Sequence, residues 1–438
     1  MRRTKTIARK AFYLGAAVAA SVLLMKPPLI EKAFAQEKPA QVKLTKKQII
    51  KQFKKAAASG DSAKVKEILG NNGSVIKKKT RINSLITASR KGHFEVVKLL
   101  LNDSTVSIDT ETNKTDSLTA ASCHGHLDIV KFLVDGGMGK DAKTTALITA
   151  SSHGHVDIVK FLVEAGGDVN VFDMNSFYTK GSGWTPMVYA AMKGHIEVIE
   201  YFLEMGVDVD QGDAVGSTAL MTAAFYGKTS VVEFLLLKGA DPNATSDNGM
   251  TPLIAAAGNG QFNITKMLVA DGAEVTAKGS DYGESALYFS VEKDFWKVAK
   301  YLISKGADVN VQTDFGVTPL MKAVAAGSKK CVNILLTNKA DENLKDEDGW
   351  TALVYAVRGV ETYETISETE LEKMKKPQKK LYMQKVKYYE TAIEIIEIML
   401  SERKDSIDIN AVDNKGRTAL DHTDNPEVKE LLKKYGAK

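Results

Sequence analysis

Cysteine is scarce in this sequence. Only two of the 438 residues are cysteines, Cys123 and Cys331, and they lie 208 positions apart. Two distant cysteines cannot form the disulfide framework that stabilises small secreted domains. The chain must therefore be stabilised by an extensive apolar core, which its length allows.

Catalytic motifs are also missing. The sequence contains no Gly-x-Ser-x-Gly elbow and no His-Glu-x-x-His pair. The stretch Gly136 to Lys140 resembles the end of a phosphate-binding loop. However, Val134 replaces the first glycine of that motif, and Asp141 replaces its Ser or Thr. We therefore expect no enzymatic activity.

One apolar run, residues 11–25, lies close to the N-terminus. At 15 residues it is short for a membrane span. Five basic residues precede it, and Ala33-Phe34-Ala35 provides a small-x-small cleavage site. This layout predicts a signal peptide over residues 1–35, a mature start at Gln36 and a linker over 36–44. The protein is then periplasmic or secreted, with no membrane insertion after cleavage; an uncleaved anchor is the alternative.

The charge balance changes when this segment is removed. The whole chain has 59 basic and 54 acidic residues, of which the first 35 residues hold seven and one. The remainder has 52 basic and 53 acidic residues and a net charge of −1. The excess of positive charge therefore belongs to the predicted signal peptide, and nucleic acid is not expected as a partner.

A unit of about 33 residues recurs along the rest of the chain. It is anchored mostly on glycine, with successive spacings of 33, 29, 40, 33, 33, 34 and 33 residues. The anchors are Gly92, Gly125, Gly154, Gly194, Gly227, Gly260, Asp294 and Gly327. A period of this length indicates a stack of identical supersecondary units.

Each unit predicts two helices. Nine positions before each anchor stands a residue with a side-chain oxygen that suits a helix N-cap. These residues are Asn83, Asp116, Thr145, Thr185, Thr218, Thr251, Ser285 and Thr318. After each anchor comes a segment with apolar residues at helical spacing, such as residues 126–134. Helices this short bury their apolar faces only by stacking on neighbouring units.

These motifs resemble the ankyrin repeat. The resemblance is carried by Gly183-Trp184-Thr185-Pro186-Met187, by Gly194-His195 and by Lys238-Gly239-Ala240-Asp241-Pro242-Asn243. It implies an all-α solenoid of stacked antiparallel helix pairs with short β-hairpin fingers. One position departs from the family pattern: the histidine expected after Thr-Pro-Leu is replaced by Val188, Met221, Ile254, Tyr288 and Met321. We expect apolar packing to substitute for its hydrogen bond.

The repeat pattern defines one continuous array over residues 45–436. We count about eleven units, including an atypical first unit at residues 45–70 and a last unit that begins at Thr418. Thr45 and Gln48 fit a capping box. Two copies carry insertions, at residues 172–183 and 361–388. The second is interpreted as a solvated helical extension or as an element that docks a partner.

Two extra histidines raise an alternative. His124 and His153 each precede a Gly-His step, in neighbouring units, and imidazole suits zinc or copper. A periplasmic metal- or ligand-binding module is therefore a second hypothesis. No metal or other cofactor is expected under the main interpretation. A third hypothesis is an accessory factor that protects or assembles an exported enzyme.

The main interpretation is an exported, monomeric scaffold that binds another protein. The resemblance implies that partners contact the concave face and the finger loops, and exposed aromatic residues are favoured anchors. Mapping those positions gives Phe172, Phe177, Tyr178, Trp184, Lys193, Phe225, Tyr226, Tyr282, Phe315 and Trp350. Packing between units is the alternative role for the tryptophans and for Phe225 and Tyr226.

Overall fold

The structure of the protein is a computed structural model. It describes residues 44–103, 110–173, 183–279, 282–360, 374–403 and 405–438. The predicted signal peptide and nearly all of the linker lie outside these residues.

The described residues form eleven helix pairs, numbered here as repeats 1 to 11. The first helices are Lys46–Ser59, Lys78–Arg90, Glu111–Cys123, Lys140–His153, Pro186–Lys193, Ala219–Phe225, Pro252–Gly258, Ala286–Glu292, Pro319–Ala325, Ala352–Gly359 and the 3-10 turn Ala419–His422. The second helices are Ser62–Asn72, Phe94–Leu101, Leu127–Asp135, Val156–Glu164, Ile196–Glu204, Thr229–Leu237, Phe262–Ala270, Trp296–Ser304, Lys329–Thr337, Lys376–Glu402 and Pro426–Lys434. A 3-10 turn, Gly73–Val75, and two short strands, Lys278–Gly279 and Glu284–Ser285, complete the elements.

The helices form two layers, because first helices pack on first helices of adjacent repeats and second helices on second helices. One continuous apolar core lies between the layers and extends from Ile49 in repeat 1 to Leu432 in repeat 11. Small residues of the first helices, such as Ala190, Ala223 and Ala256, are fully buried in this core. The all-α solenoid expected from the sequence is therefore confirmed.

The predicted helix starts are confirmed in repeats 5 to 9 and wrong in repeats 2 to 4. The hydroxyls of Thr185, Thr218, Thr251, Ser285 and Thr318 each accept a hydrogen bond from a backbone amide of the first turn. By contrast, Asn83, Asp116 and Thr145 lie inside helices that begin upstream, at Lys78, Glu111 and Lys140.

The residue two positions before each cap explains this difference. In repeats 5 to 9 it is a glycine with positive φ, as at Gly183 and Gly216, which turns the chain and prevents an earlier helix start. Repeats 2 to 4 have Arg81, Lys114 and Lys143 there, and these residues allow the helix to continue. The first helices of repeats 2 to 4 are consequently longer, at 13, 13 and 14 residues.

Fingers precede the first helices of repeats 5 to 11. In most of them the amide five positions before the cap donates to the carbonyl one position before it, as Asp213 does to Ser217 at 2.9 Å. In repeat 8 the two strands pair antiparallel. Neighbouring fingers are joined by backbone hydrogen bonds, such as Asp247 N to Val215 O at 3.0 Å and Glu347 N to Phe315 O at 3.0 Å. The fingers therefore form a connected row.

Histidines connect repeats 1 to 5. The imidazoles of His93, His126, His155 and His195 each lie over a glycine of the preceding repeat. Their Nε2 atoms are 3.0 to 3.2 Å from the carbonyl oxygens of Ala58, Arg90, Cys123 and Ser152. Each of these histidines thus satisfies a carbonyl at the end of the preceding first helix, where helices lack internal partners.

Apolar packing replaces the histidine that usually follows Thr-Pro-Leu, as expected. The side chains that replace it are all at least nine-tenths buried: Val188, Met221, Ile254, Tyr288 and Met321.

Two further predictions concern the first helix and the second insertion. At the start of the first helix, Thr45 and Gln48 form the predicted capping box. Residues 376–388 of the second insertion continue the helix Lys376–Glu402, which confirms the helical extension for that part; residues 361–373 lie outside the described residues.

Asparagines link the loops that follow the second helices. The Asn243 side chain accepts from Glu274 N at 2.7 Å and donates to Gly272 O at 3.0 Å. Asn343 makes the same pair of bonds to Asp408 and Ser406. Asp210 occupies this position in the preceding loop and accepts from Asp241 N at 3.0 Å. A carboxylate cannot donate, so one of the two bonds is not formed there.

We expect Asp210→Asn to stabilise the protein by about 1 kcal/mol at neutral pH, the usual net value of one hydrogen bond. Burial, followed by the nearby carboxylates of Asp208 and Asp241, raises the pKa of Asp210. The folded state therefore retains this proton to higher pH than the unfolded state, and stability falls as pH rises between the two pKa values. The gain from the substitution should accordingly be larger at pH 7 than at pH 3.5. Urea denaturation at both pH values tests this, and the reverse change Asn243→Asp should destabilise. An equal gain at both pH values would contradict the titration of Asp210.

Candidate functional site

Four aromatic residues meet on the first-helix face between repeats 5 and 6. The Trp184 ring lies 5.3 Å from Tyr189 and 6.2 Å from Tyr226, in edge-on arrangements, and Phe225 lies 5.0 Å from Tyr226. Phe225 and Tyr226 remain 47% and 44% exposed. We refer to Trp184, Phe225 and Tyr226 as the aromatic cluster.

The local fold fixes the aromatic cluster. Trp184 directly precedes the cap Thr185, and its carbonyl accepts from Asp173 N at 3.1 Å at the base of the finger. Phe225 and Tyr226 end the first helix of repeat 6, which is otherwise buried from Ala219 to Ala224. Phe225 and Tyr226 are thus exposed and Trp184 is partly buried, on a framework of a buried helix and a hydrogen-bonded finger base.

A cavity of about 170 Å³ borders the aromatic cluster. Its remaining walls are Ser217, Met221, Thr222 and Met250. We call it the aromatic cavity. Rings, thioethers and two hydroxyls give it an apolar lining with a few polar groups, which is typical of sites that bind a side chain or a small ligand.

Asp213 lies in the finger that leads into this repeat. It is 5% exposed, and its Oδ1 accepts from the amides of Val215 at 3.0 Å and Ser217 at 2.8 Å. Its buried Oδ2 has no hydrogen-bond partner among the residues that the structure describes. Burial raises the pKa of Asp213 despite the two amide hydrogen bonds. An unpaired buried carboxylate oxygen is unfavourable and unusual.

The equivalent finger aspartates elsewhere are paired. Oδ2 of Asp346 accepts from the Tyr355 hydroxyl at 2.8 Å, and Oδ2 of Asp173 accepts from the Tyr189 hydroxyl at 2.9 Å. In both cases the donor stands four positions after the helix cap. Repeat 6 has Thr222 at that position, and its side chain is too short to replace a tyrosine.

Trp350 occupies a different environment from Trp184. Its ring is 5.8 Å from Tyr355 and 5.7 Å from His422, and the Arg358 guanidinium lies over it at 4.3 Å. Trp350 therefore packs between repeats 10 and 11, as the alternative interpretation of the tryptophans proposed.

A second aromatic pair lies on the fingertips. Tyr282 and Phe315 are 5.1 Å apart and 50% and 48% exposed. They stand three positions before their caps, whereas the aromatic cluster lies at the base of a finger and the end of a first helix. The predicted aromatic residues thus fall into separate groups.

The other predicted contact residues are placed as follows. Phe172 is 45% exposed beside the base of the long finger, and Lys193 is exposed at the end of the first helix of repeat 5. Phe177 and Tyr178 lie outside the described residues.

The histidines of the metal hypothesis make local contacts. Nδ1 of His124 lies 3.1 Å from Ala120 O, and Nδ1 of His153 lies 2.8 Å from Thr149 O. Nε2 of His153 lies 3.4 Å from Cys123 Sγ, and burial raises the pKa of that thiol. Within the described ranges, no group of three or more His, Cys, Asp or Glu side chains is arranged to hold a metal ion. The geometry adds no support to the metal hypothesis.

Sequence reasoning missed Asp213, Ser217 and Thr222. A signal for them was present in the repeats themselves, because Tyr189 and Tyr355 stand where repeat 6 has Thr222. A comparison of equivalent positions in successive repeats shows that repeat 6 lacks the tyrosine hydroxyl that pairs with the finger aspartate in repeats 5 and 10.

Stacked helix pairs with a row of fingers define a solenoid repeat protein. The sequence model described as "Ankyrin repeats (3 copies)" matches residues 53–144, 109–173, 172–246, 220–313 and 297–376. The chain belongs to the ankyrin-repeat family. The curated proteins contain no match to it. No helix in the described part of the chain is long and apolar enough to cross a membrane.

Proposed function

We propose that this protein is an exported scaffold that binds another protein on the face formed by its first helices and fingers. It acts as a monomer and catalyses no reaction itself. Ankyrin repeats are generally scaffolds for protein interaction, and proteins built from them are typically non-catalytic. The observation that carries the proposal for this chain is the aromatic cluster, in which the half-exposed rings of Phe225 and Tyr226 and the partly buried ring of Trp184 border a cavity.

The energetics of protein binding favour the face formed by the first helices and fingers over the face formed by the second helices. Binding energy concentrates in a few large aromatic or arginine side chains near pockets. Rings already held by neighbours lose little conformational freedom when a partner binds. On the second helices, by contrast, Lys131 and Lys160 lie over the rings of Phe161 and Tyr201, so those rings are partly covered by charged side chains.

Capture with residues 36–438 as bait, from an envelope extract and from a host lysate, tests the proposal. In Phe225→Ala/Tyr226→Ala we expect the dissociation constant of the captured protein to rise about thirtyfold, which corresponds to about 2 kcal/mol.

The native protein recovered from the envelope or the medium should begin at or near Gln36; an intact Met1 form in membranes would support an anchor instead.

The matched control is Lys131→Ala/Lys160→Ala on the second helices. It should leave affinity nearly unchanged, and circular dichroism should show that both double variants are folded. Loss of binding in the lysine variant with retention in the aromatic variant would reject the proposed face.

A further inference from the structure

The boundary between repeats 10 and 11 contains a complete version of the arrangement found between repeats 5 and 6. There, Oδ2 of Asp413 accepts from Nε and Nη2 of Arg417 at 3.0 and 2.8 Å and from Nε2 of His422 at 3.0 Å. The Arg358 guanidinium stacks on Trp350 beside them. Two guanidinium groups and one imidazole thus surround a tryptophan and a buried finger aspartate.

The same positions between repeats 5 and 6 carry none of these groups. Relative to the caps Thr418 and Thr218, Arg417 corresponds to Ser217 and His422 corresponds to Thr222. Relative to the caps Thr351 and Thr185, Arg358 corresponds to Met192. The tryptophan and the aspartate are retained as Trp184 and Asp213.

The consequence is the aromatic cavity itself. Ser217 and Thr222 both line it, and they stand at the positions that carry the longer side chains of Arg417 and His422 in the last repeat. Asp213 is not itself a wall of the cavity, but its Oδ1 accepts from the amide of Ser217, and its Oδ2 is buried without a donor among the described residues. A cavity with an indole ring in its wall therefore lies next to a buried carboxylate whose second oxygen has no donor.

We propose that the aromatic cavity binds the guanidinium group of an arginine side chain on the partner protein. This inference rests on the proposed function and specifies the chemistry of the partner. The occupant stacks on Trp184, as Arg358 stacks on Trp350, and its positive charge is attracted by the buried carboxylate of Asp213 next to the cavity.

Charge and shape both favour a guanidinium group over other donors. Asp247 lies beside Gly216 in the adjacent finger and adds a second carboxylate near Asp213. A guanidinium is planar, stacks on aromatic rings and is more weakly hydrated than an ammonium group, so it enters an apolar cavity at lower cost. The attraction between a guanidinium group and a nearby carboxylate is stronger where burial lowers the effective dielectric constant than it is in bulk water.

The test uses residues 36–438 with ¹³C-labelled methionine methyl groups, since Met221 and Met250 line the cavity. The probe is N-acetyl-arginine N-methylamide, compared with the citrulline and lysine analogues. We expect saturable shifts of both methyl signals with the arginine probe and binding at least about tenfold weaker for the citrulline analogue, which lacks the charge. Equal affinity for citrulline or lysine, or the absence of saturable shifts, would overturn the proposal.

Two variants assign the contact. Asp213→Asn keeps the acceptor for the Val215 and Ser217 amides but removes the charge, and it should weaken arginine binding at least about tenfold. Asp346→Asn is the matched control at a paired finger aspartate and should change nothing. An unchanged affinity in Asp213→Asn would refute the assignment.

The double variant Ser217→Arg/Thr222→His restores the groups of the last repeat. It should fill the cavity, abolish the methyl shifts and raise the melting temperature. An arginine response that persists in this folded variant would show that binding occurs elsewhere. If the arginine probe fails while Phe225→Ala/Tyr226→Ala still weakens partner capture, the binding face stands and only the arginine chemistry is rejected.

Discussion

Deleting residues 414–438 is expected to make the protein aggregate. These residues form repeat 11, in which Val428 and Leu432 are fully buried against the rest of the array. Without this repeat, apolar surface of repeat 10, including Ile395, Ile396 and Leu400, loses its cover. A solenoid needs a terminal repeat with a polar outer face to remain soluble. Size-exclusion chromatography with light scattering would show large species in place of a monomer.

The control for this deletion is Glu430→Ala, which changes an exposed residue of the same helix and should leave the elution unchanged. If the truncated protein eluted as a monomer with an unaltered melting curve, repeat 11 would not act as a cap. The interpretation of the C-terminal segment as an essential end of the core would then be wrong.

Gly154→Ala is expected to destabilise the protein by about 2–5 kcal/mol. Gly154 ends the first helix of repeat 4 with φ +75°, a conformation that costs a residue with Cβ about 1–2 kcal/mol. An added Cβ would also overlap Nδ1 of His195 from the next repeat, and such overpacking costs about 1–3 kcal/mol. Urea denaturation monitored by circular dichroism measures the loss.

Gly166→Ala separates the two contributions. Gly166 has φ +91° but open space around its Cβ position, so this variant should show only the cost of the backbone conformation. In Gly154→Ala/His195→Ala the overlap is relieved, and the combined loss should be smaller than the sum of the two single losses. Additive losses would mean that the imidazole does not press on this glycine.

The fold was predictable because the same sequence pattern recurs in successive repeats. Thr185, Thr218 and Thr251 cap helices as expected, and buried apolar residues recur at the same offsets. The errors at Asn83, Asp116 and Thr145 have one cause. A side-chain oxygen favours a helix start only where the backbone before it breaks, and the glycine that breaks it is missing from repeats 2 to 4.

The site was only partly predictable. Sequence reasoning selected Trp184, Phe225 and Tyr226 because aromatic residues at such positions are candidate anchors. It had no means of detecting the cavity, since that depends on the side chains of two adjacent repeats at once. Trp184 and Trp350 have equivalent positions in their repeats, yet only Trp350 is covered by a histidine of the next repeat.

The glycine–histidine contacts give each of the first four boundaries a direction. The glycine always belongs to the earlier repeat and the imidazole to the later one, from Gly60 with His93 to Gly154 with His195. Repeats 2, 3 and 4 each carry both halves of this junction, so copying or losing one whole unit leaves every remaining junction matched. Repeat 5 ends that series, because the side chain nearest to its Gly194 is that of Lys228 from the next repeat and not that of a histidine. The array thus joins a segment whose boundaries share one glycine–histidine contact to a segment in which different side chains, such as Gln261 over Gly227 and Phe295 over Gly260, take the place of the histidine.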